Sequence, residues 1–295
     1  MNTSRFLPLL LAAGLAVSAN AQIDPSNDTR PTLQDDVSRQ SLNTAAEDGG
    51  DFSQLVIANY TVDYRTFVSN DIEFQSNADL NGNSGESAFV WLPTVGGSAV
   101  VKFNSPFSVE AAAALQAGLY TDVENLDFWG VNALANLRYE FSKNLLVYGG
   151  LEAYDYQSLS GEGELSRGLA PTVGVRYTRQ VIDARTFLFA GARVQHHFVS
   201  PSFADRDVFV GTFALTRQLT SDFFAQGFYE YRHSDFINGG RKDNRNTVGA
   251  SLIYVPTKKL RMNTGVTFSD NDSNVAPAQF QTVNVGLGAT LTWDF

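Results

Sequence analysis

The last thirteen residues alternate without a break. Val283, Val285, Leu287, Ala289, Leu291, Trp293 and Phe295 are apolar, and Asn284, Gly286, Gly288, Thr290, Thr292 and Asp294 stand between them. Successive side chains of a β-strand point to opposite faces, so this segment reads as a strand with one apolar and one polar face. Trp129, Val131, Ala133, Ala135, Leu137, Tyr139 and Phe141 alternate in the same way, and so do Leu260, Met262, Thr264, Val266 and Phe268. The period places strands at 54–66, 87–103, 107–121, 126–141, 145–157, 169–179, 186–197, 207–218, 223–234, 245–255, 259–270 and 280–295. Several exceed the length usual in soluble sheets and reach the ~9–11 residues that a tilted membrane strand requires.

The connections alternate in length as well. Asn104–Pro106, Ser142–Asn144, Thr220–Asp222 and Pro256–Lys258 are short, whereas 158–168, 198–206, 235–244 and 271–279 are long. Short turns at one end and longer loops at the other are the layout of a transmembrane barrel. A soluble β-sandwich also alternates, but its polar face meets bulk water and is rich in charge. Here that face is dominated by Gly, Ser, Thr, Asn and Gln, which suits a crowded lumen. Aromatics gather near strand ends, at Trp129, Tyr139, Phe141, Phe223, Tyr254, Trp293 and Phe295, as interfacial girdles require. The expected fold is therefore all-β: a single antiparallel transmembrane β-barrel over residues 51–295, with twelve strands inside a range of ten to fourteen.

The N-terminus carries an address. Met1–Arg5 is a short basic region, Phe6–Val17 is apolar, and Ala19-Asn20-Ala21 is a small-x-small cleavage site. That is a signal-peptide layout for residues 1–21, and its apolar run is too short to span a bilayer. Residues 22–50 are polar and poor in large apolar side chains, which reads as a disordered periplasmic arm. Cleavage removes Arg5 from 21 basic residues and leaves 20 against 31 acidic, which argues against nucleic acid as a partner. Cysteine is absent, so disulfides and thiolate metal sites are excluded.

The final residues, Leu291-Thr292-Trp293-Asp294-Phe295, resemble the last-strand signal of bacterial outer-membrane proteins. The resemblance implies recognition by the barrel-assembly machinery through Leu291, Trp293 and Phe295. Asp270-Asn271-Asp272-Ser273-Asn274-Val275 is similar to an outer loop of the family called putative β-barrel porins, a likeness that extends over about the last third of the chain. It implies a barrel in the bacterial outer membrane with lipid around it, and it names no solute.

Chemistry has few candidates. His233 and Ser234 are adjacent and so point to opposite faces, which denies them the base–nucleophile contact of an outer-membrane lipid hydrolase. His196 and His197 fail as a metal pair for the same reason, with His197 facing the lumen. Asn77–Asn83 resembles the start of a calcium loop but has Ala88 where the twelfth-position Glu belongs, and turn-forming Asx residues account for it. No metal or other cofactor is expected. By phase the inward charges are Asp63, Arg65, Lys102, Glu110, Arg138, Glu140, Glu152, Arg176, Arg193, Glu230, Arg232, Lys259 and Arg261, eight basic against five acidic. Such a set lines a passive channel for small polar or charged solutes, with an anion preference set by Lys102, Arg138, Arg176 and Arg261 near the periplasmic ends. It also fits a structural, adhesive or assembly-related barrel whose lumen is closed by paired side chains.

Overall fold

The computed structural model describes residues 53–57, 60–78, 85–121, 126–159, 164–200 and 202–293. The signal peptide, the N-terminal arm, most of Asn77–Asn83, and the terminal Asp294 and Phe295 lie outside these residues. Twelve long strands close an antiparallel barrel: β2 (Tyr60–Gln75), β3 (Ala88–Phe103), β4 (Phe107–Tyr120), β5 (Phe128–Ser142), β6 (Leu145–Ser158), β7 (Glu164–Gln180), β8 (Thr186–Ser200), β9 (Arg206–Gln218), β10 (Phe223–Phe236), β11 (Lys242–Thr257), β12 (Leu260–Ser273) and β13 (Phe280–Trp293). Each pairs with its neighbours in sequence, and β13 closes on β2 from Asn284↔Gln75 to Trp293↔Thr66. A short strand, β1 (Ser53–Ile57), pairs with Tyr60–Tyr64. It lies end to end with β13 on the same edge of β2, so the seam is covered beyond the point where the last strand stops.

The single expected strand 54–66 is thus two elements, and the first barrel strand runs on to Gln75. Strands also climb further at the loop end than the alternation suggested. The loops 158–168, 198–206 and 235–244 shrink to 159–163, 201–205 and 237–241, and Asp270–Ser273 belongs to β12. Outward polar pairs stand near these strand tips: Arg167–Asp155 at 2.8 Å and Lys242–Asp235 at 2.9 Å are ion pairs, and His196 Nδ1 lies 2.6 Å from Asp207. Charges on the outer wall belong in water, so the strand tips rise above the apolar band.

Below them the outer wall is apolar. Val68, Val95, Leu115, Leu151, Val194, Val248, Val266 and Leu287 are exposed on it. Phe89, Trp91, Trp129, Phe198 and Phe209 ring the loop end, and Tyr139, Phe141, Phe223, Tyr254 and Trp293 ring the turn end. Phe223 stacks on Tyr254 at 4.4 Å. Val283, Leu287 and Leu291 stand outward, with Asn284, Gly286 and Thr290 inward.

Following cross-strand partners shows how steeply the strands tilt. One row runs Thr61↔Lys102↔Ser108↔Arg138↔Tyr148↔Gly174↔Arg193↔Val210↔Arg232↔Arg245↔Asn271↔Phe280. It starts at the turn end of β2 and finishes at the loop end of β13. A row of hydrogen-bonded neighbours therefore spirals up the lumen, as the stagger of a closed barrel demands.

Candidate functional site in the barrel interior

Six aromatic side chains lie against glycines directly opposite them on the next strand. The pairs are Phe67↔Gly96, Phe128↔Gly118, Tyr156↔Gly130, Tyr154↔Gly168, Tyr148↔Gly174 and Phe228↔Gly249. A Cβ on any of these glycines would overlap the ring. Each ring is thus laid along the wall, covering the glycine backbone, instead of projecting across the lumen. Around them a buried cluster including Val90, Leu92, Tyr120, Phe128, Tyr154, Tyr156 and Leu165 fills the loop half of the β3–β7 side.

The opposite side differs. Ser251, Asn263, Gly265, Thr267, Gly286 and Thr290, on β11 to β13, are inward yet only part-buried, as are Asp71 and Glu73 on β2 and Glu230 on β10. The interior is therefore lopsided, with an apolar filled wall facing a polar wall that keeps contact with water. Towards the loop end even the polar residues are buried, among them Ser234, Asp243, Asn271, Ser273, Thr282 and Asn284. That end of the interior has the least contact with water.

Asp63, Arg65, Lys102, Glu110, Arg138, Glu140, Glu152, Arg176, Arg193, Glu230, Arg232 and Arg261 all occupy inward positions. Lys259 keeps the phase but falls in the exposed turn between β11 and β12, so it lines no wall. At the turn end the cations meet carboxylates: Lys102 Nζ lies 2.6 Å from Asp63, and Arg138 lies 3.6 Å from Glu110, which also accepts a hydrogen bond from Asn136 at 3.2 Å. Arg176 sits 4.8 Å over the Tyr148 ring. Midway, Arg193 donates to Gln195 at 3.1 Å, and Gln195 donates to Glu152 at 3.2 Å and to Thr172 at 3.0 Å. Arg232 lies 3.8 Å from Glu230.

Sequence reasoning missed Asp71, Glu73, Arg206, Asp243 and Arg245 on the wall, and Arg241 in the β10–β11 loop. With these included and Lys259 removed, the inward phase of the described strands carries nine basic residues (Arg65, Lys102, Arg138, Arg176, Arg193, Arg206, Arg232, Arg245, Arg261). It carries eight acidic ones (Asp63, Asp71, Glu73, Glu110, Glu140, Glu152, Glu230, Asp243). The overall excess is nearly gone, and what matters is where the charges sit. Ser234 is buried in the lumen while His233 is on the outer wall, its Nδ1 donating to Asn244 Oδ1 at 2.9 Å. His197 faces inward, 3.5 Å from the Tyr154 hydroxyl. Among the described residues no cluster of three or more His, Asp or Glu is placed to hold a metal ion.

A closed antiparallel barrel with an apolar outer band, two aromatic girdles and a charged interior is the architecture of an outer-membrane-type transmembrane β-barrel. The family model described as Putative beta-barrel porin 2 matches residues 208–293. Solved structures of similar shape include the KdgM porin in complex with disordered oligogalacturonate, 11% identical, covering 76% of this chain and 98% of its own, with a TM-score of 0.45. The NanC porin is 10% identical, with coverages of 76% and 98% and a TM-score of 0.45. The translocator domain of the autotransporter NalP from Neisseria meningitidis is 10% identical, with coverages of 87% and 95% and a TM-score of 0.47. No curated protein sequence matches the chain.

Proposed function

We propose that this barrel is a passive outer-membrane channel for small polar or charged solutes, reached after removal of residues 1–21. The supporting observation is the lopsided interior. Six rings lie flat on glycines, and the facing wall of Ser, Thr, Asn and Gly remains part-exposed from Thr290 up to Thr267. Hydroxyl and amide groups there replace water around a passing solute, and the charges on the wall set which ions concentrate in it. The loop half, which has the least contact with water, acts as the selective region. In this reading the barrel carries no enzymatic chemistry, since His233 and Ser234 stand on opposite faces of β10. The C-terminal Leu291, Trp293 and Phe295 engage the barrel-assembly machinery, and the outer wall engages lipid.

The dense packing at the loop end favours a second reading, a closed barrel with a structural or adhesive role. Single-channel recording of the refolded protein in a planar bilayer separates the two. Discrete conductance steps support the channel, and a silent bilayer containing folded protein favours the closed barrel.

A further inference from the structure

Two segments share one edge of β2 and leave almost no gap between them. β13 descends that edge, and its last pair is Trp293↔Thr66. β1 takes the edge up at Ser53↔Tyr64 and runs down to Ile57↔Tyr60. On β2 only Arg65 stands between the two. Both β1 and β13 are antiparallel to β2, so the chain before Ser53 approaches from the place that β13 already fills. It cannot follow the edge, and it must leave the wall there, on the lumen side or on the lipid side. The level of departure is the turn-end girdle, where Trp293 stands outward.

The segment that departs is acidic. Glu47, Asp48 and Asp51 lie within six residues of Ser53, no Lys or Arg lies between Arg39 and Ser53, and no large apolar side chain stands between Leu42 and Phe52. On the lipid side these carboxylates would enter the boundary of the hydrocarbon, where charge is costly. On the lumen side they meet arginines. Arg65 faces inward beside the gap and donates to Ser98 at 3.2 Å. Strands tilted at about 45° and spaced ~4.8 Å climb about 3.4 Å per strand along the cross-strand row and about 2.3 Å per residue along a strand. Arg138 is three strands along the row from Thr61, and Arg176 is five strands along and two residues towards the turn end. Arg65, Arg138 and Arg176 therefore stand at one level, about 9–13 Å above Thr61. Glu110 shares that level and lies 3.6 Å from Arg138. Arg176 is 8% exposed, and its Nη2 has no hydrogen-bond partner among the described residues.

We infer that the end of the N-terminal arm, residues 43–51, turns inward at Arg65 and lies in the turn-end mouth of the barrel, its carboxylates set against Arg65, Arg138 and Arg176. Gly49-Gly50 supplies the sharp turn out of the wall that this path needs. The barrel thus carries a tethered acidic segment of its own chain in its periplasmic mouth, and the earlier residues of the arm trail into the periplasm. The arm occupies this mouth whether or not the barrel conducts.

The chain has no cysteine, so a pair introduced by mutation is the only one that can cross-link. Ser98 and Ala99 are neighbours on β3 at the height of the gap; Ser98, opposite Arg65, faces the lumen, and Ala99, opposite Tyr64, faces outward. Gly50→Cys is combined with Ser98→Cys or with Ala99→Cys in the full chain from Gln22 onward, folded in detergent, with strand content checked by circular dichroism. Mild oxidation and a non-reducing gel read the disulfide, which requires the two Cα atoms to come within about 7 Å. The Ser98 pair should form at least tenfold faster than the Ala99 pair. Asp48→Cys in place of Gly50→Cys, which keeps the glycine turn, should rank the two in the same order. In the Ser98 background, Arg138→Gln with Arg176→Gln should slow the disulfide at least threefold. Faster trapping by Ala99, equal trapping by both, or no disulfide from either places the arm elsewhere and overturns the proposal. A lumen disulfide whose rate ignores the loss of Arg138 and Arg176 refutes the pairing with those arginines.

Discussion

Leu287→Arg and Gly286→Arg test the orientation of the closing strand with one change of residue number. Leu287 is 60% exposed on the outer wall, between Val285 and Ala289, and is paired with Thr264 and Ile72. It lies between the two girdles, so an arginine there enters hydrocarbon near the midplane. The cost is about 2–4 kcal/mol, which lowers the folded-to-unfolded ratio about 30- to 700-fold at 1.4 kcal/mol per factor of ten. Gly286 faces inward and is the direct partner of Glu73. A Cβ on Gly286 would lie 3.6 Å from Glu73 Cγ, an ordinary contact, and the new guanidinium gains a carboxylate beside it. Its cost should stay under about 1 kcal/mol. Both variants are measured by reversible denaturant unfolding from lipid vesicles, followed by tryptophan fluorescence. If Gly286→Arg loses more stability than Leu287→Arg, the assignment of faces is wrong by one residue.

Gly118→Ala should lower stability by about 1–3 kcal/mol, because its Cβ would enter the space of the Phe128 ring; thermal melting in detergent checks it, with Gly227→Ala, which meets only a backbone oxygen at 3.9 Å, as the tolerant control. Arg138→Gln with Arg176→Gln removes the partner of Glu110 and the cation over Tyr148, so the reversal potential across a salt gradient should shift towards cations; an unchanged potential would reject a role for the turn-end cations. Asp183, in the β7–β8 turn, has its carboxyl pKa lowered by a hydrogen bond from Thr186 at 2.7 Å, and then by the Arg185 backbone N–H at 3.0 Å. A depressed carboxylate pKa contributes stability that is complete above the ordinary carboxylate range and is lost as pH falls through the folded value. The melting temperature of Asp183→Asn should therefore fall less than the parent's between pH 7 and pH 3, and equal falls would dismiss the turn as an acid-sensitive point.

Strand number was legible because the bilayer imposes the alternation. Between the girdles one face meets lipid and the other meets the lumen, so hydrophobicity itself alternates. Above the loop-end girdle the outer face is polar like the inner one, and the signal fades although the hydrogen-bond ladder continues. Arg241, Asp243 and Arg245 share one phase, with Lys242, Asn244 and Asn246 in the other. A run polar in both phases reads as loop, and so the densest group of cations escaped notice. On β2 the signal was present. Val68, Ile72 and Phe74 alternate with Ser69, Asp71, Glu73 and Gln75, but Ser69-Asn70-Asp71 has the composition of a turn. The spiral row could not be read at all, because it depends on the stagger between strands, and stagger leaves no mark on any one strand.

The glycines link composition to the width of the passage. Twelve strands enclose more space than alternating small side chains would fill, yet less than a wide porin leaves open. Aromatic residues placed inward on such a wall would ordinarily cross the lumen and close it. Here the partner of each of six rings is a glycine, so the ring lies against backbone and the wall thickens only slightly. All but one of these pairs stand on β2 to β7. The loop half of that side becomes apolar, whereas the opposite side, lined by Ser, Thr and Asn, stays part-exposed. The spiral row starts on β2 and β3, runs through the Tyr148–Gly174 pair on β6 and β7, and reaches β10 and β11 at the loop end. In the proposed channel a charged solute would meet fixed charges on both walls, and they would act on it most strongly where the interior is least exposed to water.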